Sequence, residues 1–260
     1  MIRLEAITAC AAPGRTALRD VDLCVTEGER LVVLGANGSG KTTLLRLLDG
    51  LLFPSAGRYC YDGVEVTAAG LRRSPFARRF RSEVVLAFQN PEAMLFHPSV
   101  FDEIAFAPRQ RRRSEQEVRE TVERWASVTG VTDLLERSPW ELSAGEQQKV
   151  CLAAILAVGP RLLLLDEPTA SLDPRSTGWL VDFLDELGLT TVIATHSLSL
   201  APELGNRALV LGEDHRLLWD GPTEELLGDA KLLVRANLAH SHRHRHGGRT
   251  HRHFHIHDWS

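Results

Sequence analysis

The sequence predicts an α/β fold built on a parallel sheet, and three stretches predict it. An apolar strand, Leu31 to Leu34, runs directly into a glycine-rich turn and then a helical run, Thr43 to Leu48. A second strand, Leu162-Leu163-Leu164-Leu165, is four consecutive leucines. Such a run cannot alternate between core and solvent, so it is buried on both faces, as strands of a parallel sheet are. A third strand, Thr191 to Thr195, leads straight to His196. Strands of this kind deliver functional groups at their carboxyl ends.

The turn after the first strand reads Gly35-Ala36-Asn37-Gly38-Ser39-Gly40-Lys41-Thr42, a complete G-x-x-x-x-G-K-[ST] loop. Glycines let the backbone wrap so that its N–H groups face a phosphate chain. The helix N-terminus adds partial positive charge, Lys41 reaches the β/γ oxygens, and Thr42 offers a hydroxyl to a metal. Gly35, Asn37, Gly38, Ser39, Gly40, Lys41, Thr42 and Thr43 are therefore the candidate contacts to ATP. At the end of the leucine strand stand Asp166 and Glu167. The first is placed to hold Mg2+ with Thr42, and the second to polarise an attacking water.

Further segments appear in a fixed order. Leu142-Ser143-Ala144-Gly145-Glu146 resembles the LSGGQ signature of ATP-binding cassette (ABC) ATPases. Gln89 follows the apolar strand Val84 to Phe88 where that family carries its Q-loop. Ser171-Leu172-Asp173 resembles the D-loop, and His196 the switch histidine. The resemblance extends over residues 1 to 235. It implies a P-loop (RecA-like) cassette with an antiparallel β subdomain and a helical subdomain at about 90 to 160. It also implies ATP hydrolysis at a head-to-tail dimer interface. Glu167 is then the catalytic base, and His196 and Gln89 are catalytic partners, with Gln89 also near Mg2+. Ser143, Gly145 and Asp173 serve the nucleotide across the interface.

Two departures touch the signature, and a third the base. Ala144 stands for a glycine and Glu146 for a glutamine. Ser143 with Glu146 is also an S-x-x-E capping box, which would turn the Glu146 carboxylate back onto its own helix start. The family stacks adenine on an aromatic side chain near position 11, but this chain has Ala11 there and no Trp, Tyr or Phe before Phe53. Loss of a stacked ring is worth on the order of 1 kcal/mol, so discrimination between ATP and GTP is expected to be weak.

The remaining elements follow in chain order. Residues 1 to 30 read as short strands with turn signals. Tyr59 to Val66 carries an Asp62-Gly63 hairpin signal. Ser114 opens a periodic helical run (Val118, Val122, Trp125, Val128) with glutamates in its first turn. A helix is expected from about Ser176 to Leu187. Val210-Leu211 and Leu217 to Trp219 flank a polar turn, and one amphipathic helix is expected from Thr223 to Leu238. Arginine runs at Arg72-Arg73, Arg78-Arg79-Arg81 and Arg109 to Arg113 read as solvated charged faces.

The 260 residues are enough to bury a large core, and the net charge of −4 argues against a general nucleic-acid binder. Four scattered cysteines give no disulfide framework. No apolar stretch is long enough to span a bilayer. The expected location is therefore the cytoplasmic face of a membrane, by docking to another chain.

The segment Phe88 to Val100, with Asn90-Pro91-Glu92 and Leu95-Phe96-His97-Pro98, is similar to the Q-loop region of energy-coupling-factor ATPases, most of all the cobalt and nickel importers. That likeness implies a second ABC ATPase subunit, a transmembrane coupling protein and a membrane substrate-capture subunit as partners, and uptake of nickel or cobalt. A vitamin-type importer of the same group and a soluble ABC ATPase with a metal-buffering tail remain open. Residues 236 to 260 read as a flexible tail without regular structure. In it His240, His242, His244, His246, His251, His253, His255 and His257 recur mostly as H-x-H. Neutral imidazoles suit nickel, cobalt or zinc. A purification tag or a solubilising terminus would look similar.

Overall fold

Two sheets of different kinds carry the fold in the computed structural model, which describes residues 1–88, 90–246 and 249–256, with backbone alone for 240–246 and 249–256. The chain opens with β1 (Ile2–Ala12), β2 (Arg15–Val25) and β3 (Arg30–Gly35), followed by α1 (Lys41–Leu48), β4 (Ala56–Tyr61), β5 (Val64–Glu65), α2 (Pro75–Glu83) and β6 (Val84–Ala87). Three longer helices come next: α3 (Val100–Gln110), α4 (Glu115–Thr129) and α5 (Ala144–Leu156). Then β7 (Leu162–Asp166), α6 (Pro174–Glu186), β8 (Thr190–Ala194), α7 (Ala201–Leu204), β9 (Arg207–Leu211) and β10 (Leu217–Pro222) complete the larger sheet. The short helices α8 (Thr223–Gly228) and α9 (Ala230–Arg235) precede β11 (Ala239–His246) and β12 (Arg249–Ile256).

Among the described residues the smaller sheet runs β2-β1-β4-β5 and is antiparallel, as the turn-rich N-terminus predicts. Asp62 and Gly63 both hold positive φ (46° and 78°) at its β4–β5 turn, the conformation a two-residue hairpin requires. The larger sheet runs β10-β9-β3-β8-β7-β6, parallel except for β10.

The leucine strand lies between β6 and β8, and its four leucines are wholly buried. Leu162 and Leu164 pack with α1 and the antiparallel sheet, beside Leu44, Leu45 and Ile7. Leu163 and Leu165 face the other way, against Leu152 and Ile155 of α5 and Leu180 and Leu184 of α6. A third core belongs to the helical subdomain, where Val100, Ile104, Val118, Val122 and Val150 pack together. Two of its helices begin at serine caps, of which Ser114 is the helix start expected from the sequence and Ser99 is not. Ser99 and Ser114 accept from backbone N–H groups three residues on, and Ser114 with Glu117 closes a capping box.

Three elements differ from the sequence reading. The arginine-rich stretch around Arg78 to Arg81 is helix α2, capped by Ser74 with Pro75 in its first turn. Arg79 pairs with Glu83 at 3.0 Å and with Asp62, while Arg161 bonds Glu27 and Asp62, both at 2.9 Å. These arginines tie β4, α2 and the lead-in to β7 together. The single amphipathic helix expected from Thr223 to Leu238 is broken into α8 and α9 at Asp229. Its carboxylate accepts from the Lys231 and Leu232 N–H groups and restarts the helix. Finally, β11 and β12 pair antiparallel where the sequence reading assigns no regular structure. The H-x-H repeat has the two-residue period of a strand, and the ribbon grows from Leu238 and Ala239, both buried in the core. His257 lies outside the described residues.

Because β7 is packed on both faces, Leu163→Ala and Leu164→Ala are each expected to lower stability by about 2–5 kcal/mol. Urea unfolding with an unchanged slope measures this. A neutral result at either position would mean that one face of β7 lacks a packed layer.

Candidate nucleotide site

The loop between β3 and α1 is held by close backbone approaches that only glycine permits. Gly40 sits at φ 117°, and a Cβ there would lie 2.2 Å from the Ala17 carbonyl oxygen on β2. At Gly35 a Cβ would lie 2.7 Å from the Leu211 carbonyl oxygen at the end of β9. The loop is thus clamped between the two sheets and leads directly into the α1 N-terminus.

A cavity of about 410 Å3 opens over this loop. It gathers Asn37, Gly38, Gly40, Lys41, Thr42 and Thr43 with Glu167 and His196. Gly35 lines an adjoining hollow with Ala36, Asn37 and His196. Ser39 is buried beneath, and its hydroxyl has no hydrogen-bond partner among the described residues. Lys41 is 7% exposed, and its ammonium donates to the Gly35 carbonyl at 2.8 Å. Burial holds its pKa below the usual lysine range, against the opposing pull of Glu167 and Asp166.

The two carboxylates at the end of β7 have different partners. Burial raises the Asp166 pKa, while a hydrogen bond from the Thr42 hydroxyl opposes that rise. Glu167 has a left-handed backbone at φ 48° and donates its N–H to the Ala194 carbonyl at 2.9 Å. A non-glycine residue in that region costs free energy, and such strain concentrates at functional sites. The strained backbone aims the carboxylate at His196. Glu167 Oε2 lies 2.9 Å from His196 Nδ1 and accepts from the His196 N–H at 3.3 Å. Its other oxygen is 3.8 Å from the Lys41 ammonium.

This donor set fits a triphosphate: a glycine loop that leads into a helix N-terminus, and a lysine in a water-poor setting. Thr42 and Asp166, already joined, are hard oxygen ligands of the kind magnesium takes.

The structure does not bring every sequence candidate to this cavity. Ser143 caps α5, and Glu146 closes the capping box. Its Oε2 accepts from the Ser143 N–H at 2.8 Å and from the hydroxyl at 2.7 Å. Asp173 caps α6 and accepts from the Ser176 hydroxyl at 2.7 Å, and Gly145 approaches Ser176 so closely that a Cβ would lie 2.5 Å from its hydroxyl oxygen. Ser143, Gly145 and Asp173 therefore belong to a second surface, apart from the P-loop cavity of the same chain. Gln89 lies outside the described residues, and so do the side chains of the tail histidines. The sequence reading missed Arg15, Thr16 and His215, which line the cavity beyond the loop. No motif marks them, because they come from the start of β2 and from the β9–β10 turn, distant in sequence.

The fold, the clamped loop and the paired carboxylates together define an ATP-binding cassette. A family model described as ABC transporter matches residues 18–170, more than half the chain, and the protein belongs to that family. It is an ATPase of the kind that dimerises and works with membrane-embedded subunits. A Methanosarcina acetivorans protein, named provisionally as an ABC transporter ATP-binding protein with no cargo stated, is 45% identical over 231 residues, 86% of this chain and 84% of its own. The nickel import ATP-binding protein NikO of Rhodobacter capsulatus is 43% identical over 234 residues, 88% of this chain and 92% of its own. Among solved structures, CbiO1 of Clostridium perfringens, part of the ABC transporter complex CbiONQ, superimposes with a TM-score of 0.79 at 29% identity, covering 91% of this chain and 94% of that one.

The geometry assigns separable effects to two side chains. Glu167→Gln is expected to keep ATP binding while slowing turnover about a hundredfold or more. Lys41→Ala is expected to lose nucleotide binding itself. Steady-state ATPase assays with equilibrium binding check both, and full activity in Glu167→Gln would remove the assigned base.

Proposed function

We propose that this protein is the ATP-hydrolysing subunit of an importer for a transition metal ion, nickel or cobalt, acting at the cytoplasmic face of a membrane. The observation that carries the reading is the 43% identity to a nickel import ATP-binding protein along 88% of the chain. The likeness to CbiO1 supports it.

In the proposed cycle two cassettes meet head to tail. The P-loop of one and the α5 N-terminus of the other, with Ser143, Gly145 and Asp173, enclose one ATP. Magnesium, when bound, would be held by Thr42, Asp166 and Gln89 and would neutralise phosphate charge. Glu167 orients a water and accepts its proton, and His196, held by the Glu167 carboxylate, steadies the γ-phosphate end. Closure moves the helical subdomain, and hydrolysis releases it.

The helical subdomain offers a surface for the membrane partner. Phe88, Phe96 and Phe106 are exposed, at 45%, 61% and 39%. The Phe96 and Phe106 rings meet edge-on with centroids 5.2 Å apart. They stay outside because the loop beneath them is anchored: buried Glu103 accepts from the Phe96 and His97 N–H groups at 2.8 and 2.9 Å. An exposed aromatic on this anchored loop, paired with one on α3, suits a docking segment of a transmembrane coupling protein, with a membrane substrate-capture subunit beside it.

The cassette of residues 1–235 would carry this activity, with the tail as a separate metal-handling element. In the β11–β12 ribbon His240 lies opposite His255, His242 opposite His253 and His244 opposite His251. Three successive histidine pairs on one face are a ladder of potential ligand sites. Arg243 opposite Arg252 opposes both pairing and cation capture, so binding is expected to be modest and reversible.

Co-expression with the neighbouring membrane subunits and measurement of ATP-dependent nickel and cobalt uptake tests the cargo. Uptake of neither metal, with ATPase activity intact, would overturn it. Phe96→Asp with Phe106→Asp is expected to abolish co-purification with the coupling subunit while leaving ATP affinity unchanged.

Removal of residues 240–260 is expected to leave ATPase activity nearly intact and to remove most nickel binding seen by calorimetry. In the full chain that binding fades as pH falls through about 6.5, because protonated imidazole cannot ligate. Equal nickel binding by both forms would show that the tail is a solvated terminus.

A further inference from the structure

The nucleotide cavity continues past the P-loop to the β1–β2 turn, where Ala11, Arg15, Thr16 and Ala17 line it. None of these is an aromatic residue. Two imidazole rings line this cavity, His196 at the carboxylate end and His215, on the turn between β9 and β10, at this end.

The His215 ring is held in place by several contacts. His215 takes a left-handed backbone at φ 65°, and its N–H donates to the Gly212 carbonyl at 3.0 Å. Its own carbonyl accepts from the Arg19 N–H of β2 at 2.8 Å, and Arg216 pairs with Asp20 at 3.1 Å. The turn is thus fastened to the strand that also carries Arg15 and Thr16. His215 Nδ1 lies 3.2 Å from the Ser39 carbonyl oxygen of the P-loop. A carbonyl only accepts, so Nδ1 is the donor of this pair. The imidazole is therefore oriented by the phosphate loop itself. Arg15 is exposed, and its guanidinium has no ion pair or hydrogen bond among the described residues.

We propose that the His215 imidazole and the Arg15 guanidinium form the platform on which the purine base of the bound nucleotide rests, in place of the aromatic side chain that position 11 lacks. Both groups are planar. A guanidinium stacks on π-systems, and an imidazole offers a flat face of the same kind. A platform that meets the face of a base, with no reading of its edge, holds adenine and guanine alike and pyrimidines less well. The inference rests on ATP binding by the cassette and is independent of the metal cargo.

The test compares magnesium-ATP, magnesium-GTP, magnesium-CTP and magnesium-tripolyphosphate, the last lacking base and sugar, by equilibrium binding to the full chain. His215→Asn keeps a residue tolerant of the left-handed backbone and a donor for the Ser39 carbonyl, while removing the ring. It is expected to weaken ATP and GTP about three- to tenfold and to leave tripolyphosphate unchanged. Arg15→Ala should act in the same direction and less. Ala11→Tyr in the His215→Asn background should restore ATP affinity, since it supplies a ring from the opposite turn.

An unchanged ratio of ATP to tripolyphosphate affinity in His215→Asn would overturn the proposal. Equal weakening of both ligands would overturn it too, by showing that His215 acts only through Ser39 on the phosphate loop. Tripolyphosphate binding by the unaltered chain reports on the phosphate site separately, so a failure there is distinguishable from a failure of the platform.

Discussion

The site depends on one packing constraint: β7 must be buried on both faces. Four leucines satisfy two hydrophobic layers at once, so the strand can only lie inside a parallel sheet with helices or a second sheet on each side. Its carboxyl end then emerges beside the N-terminus of α1. The hydrogen bond from Thr42 to Asp166 and the approach of Lys41 to Glu167 follow from that placement. So does the pairing of Glu167 with His196. Asp166 is in register with Ala194 of β8, and the next residue along β7 donates its N–H back to the Ala194 carbonyl. A one-residue slip of β7 against β8 would separate the two side chains and turn the leucines to the wrong layers.

The same burial sets the electrostatics. Lys41, Asp166 and Glu167 share a water-poor corner, with the half-buried His196 at its edge, in which charges interact more strongly than in solvent. Burial alone pushes Lys41 and Asp166 toward their neutral forms, and their mutual proximity resists this. The left-handed backbone of Glu167 costs free energy that the folded state tolerates because the sheet register fixes both neighbours. A site prearranged in this way needs little reorganisation when phosphate charge arrives.

How much of this was legible in the sequence depended on how local the physics is. The glycine loop, the leucine strand, the helix start at Ser114 and the capping box at Ser143 are set within eight residues or fewer, and each is found where the pattern places it. The break at Asp229 was missed because the apolar period runs through it, although an Asp two residues before Lys231 is itself a capping signal. Helix α2 was obscured by its arginines, whose partners Asp62 and Glu83 lie on different elements. His215 was invisible for a stronger reason. Its role is set by the Ser39 carbonyl 176 positions away and by the Arg19 N–H, and no local pattern records such contacts. The paired strands of the tail were implicit in the H-x-H period, but composition was weighed above period there.

The two ends of the nucleotide cavity are built from different materials, and this explains how the chain can depart from its family at one end alone. The phosphate end is made of backbone. Gly35 and Gly40 are fixed by contacts that exclude any Cβ, so substitution there moves the sheets themselves. The other end is made of side chains at the facing ends of β1 and β2 and on the β9–β10 turn, where the exposed Ala11 side chain is packed against no core. The start of α5 likewise joins backbone N–H groups to a side chain, Glu146. Here Glu146 spends its charge inside the capping box, where hydrogen bonds from the Ser143 hydroxyl and N–H hold its carboxyl below the usual glutamate range. A carboxylate so engaged faces the start of its own helix, where its charge is taken up by the Ser143 N–H and hydroxyl.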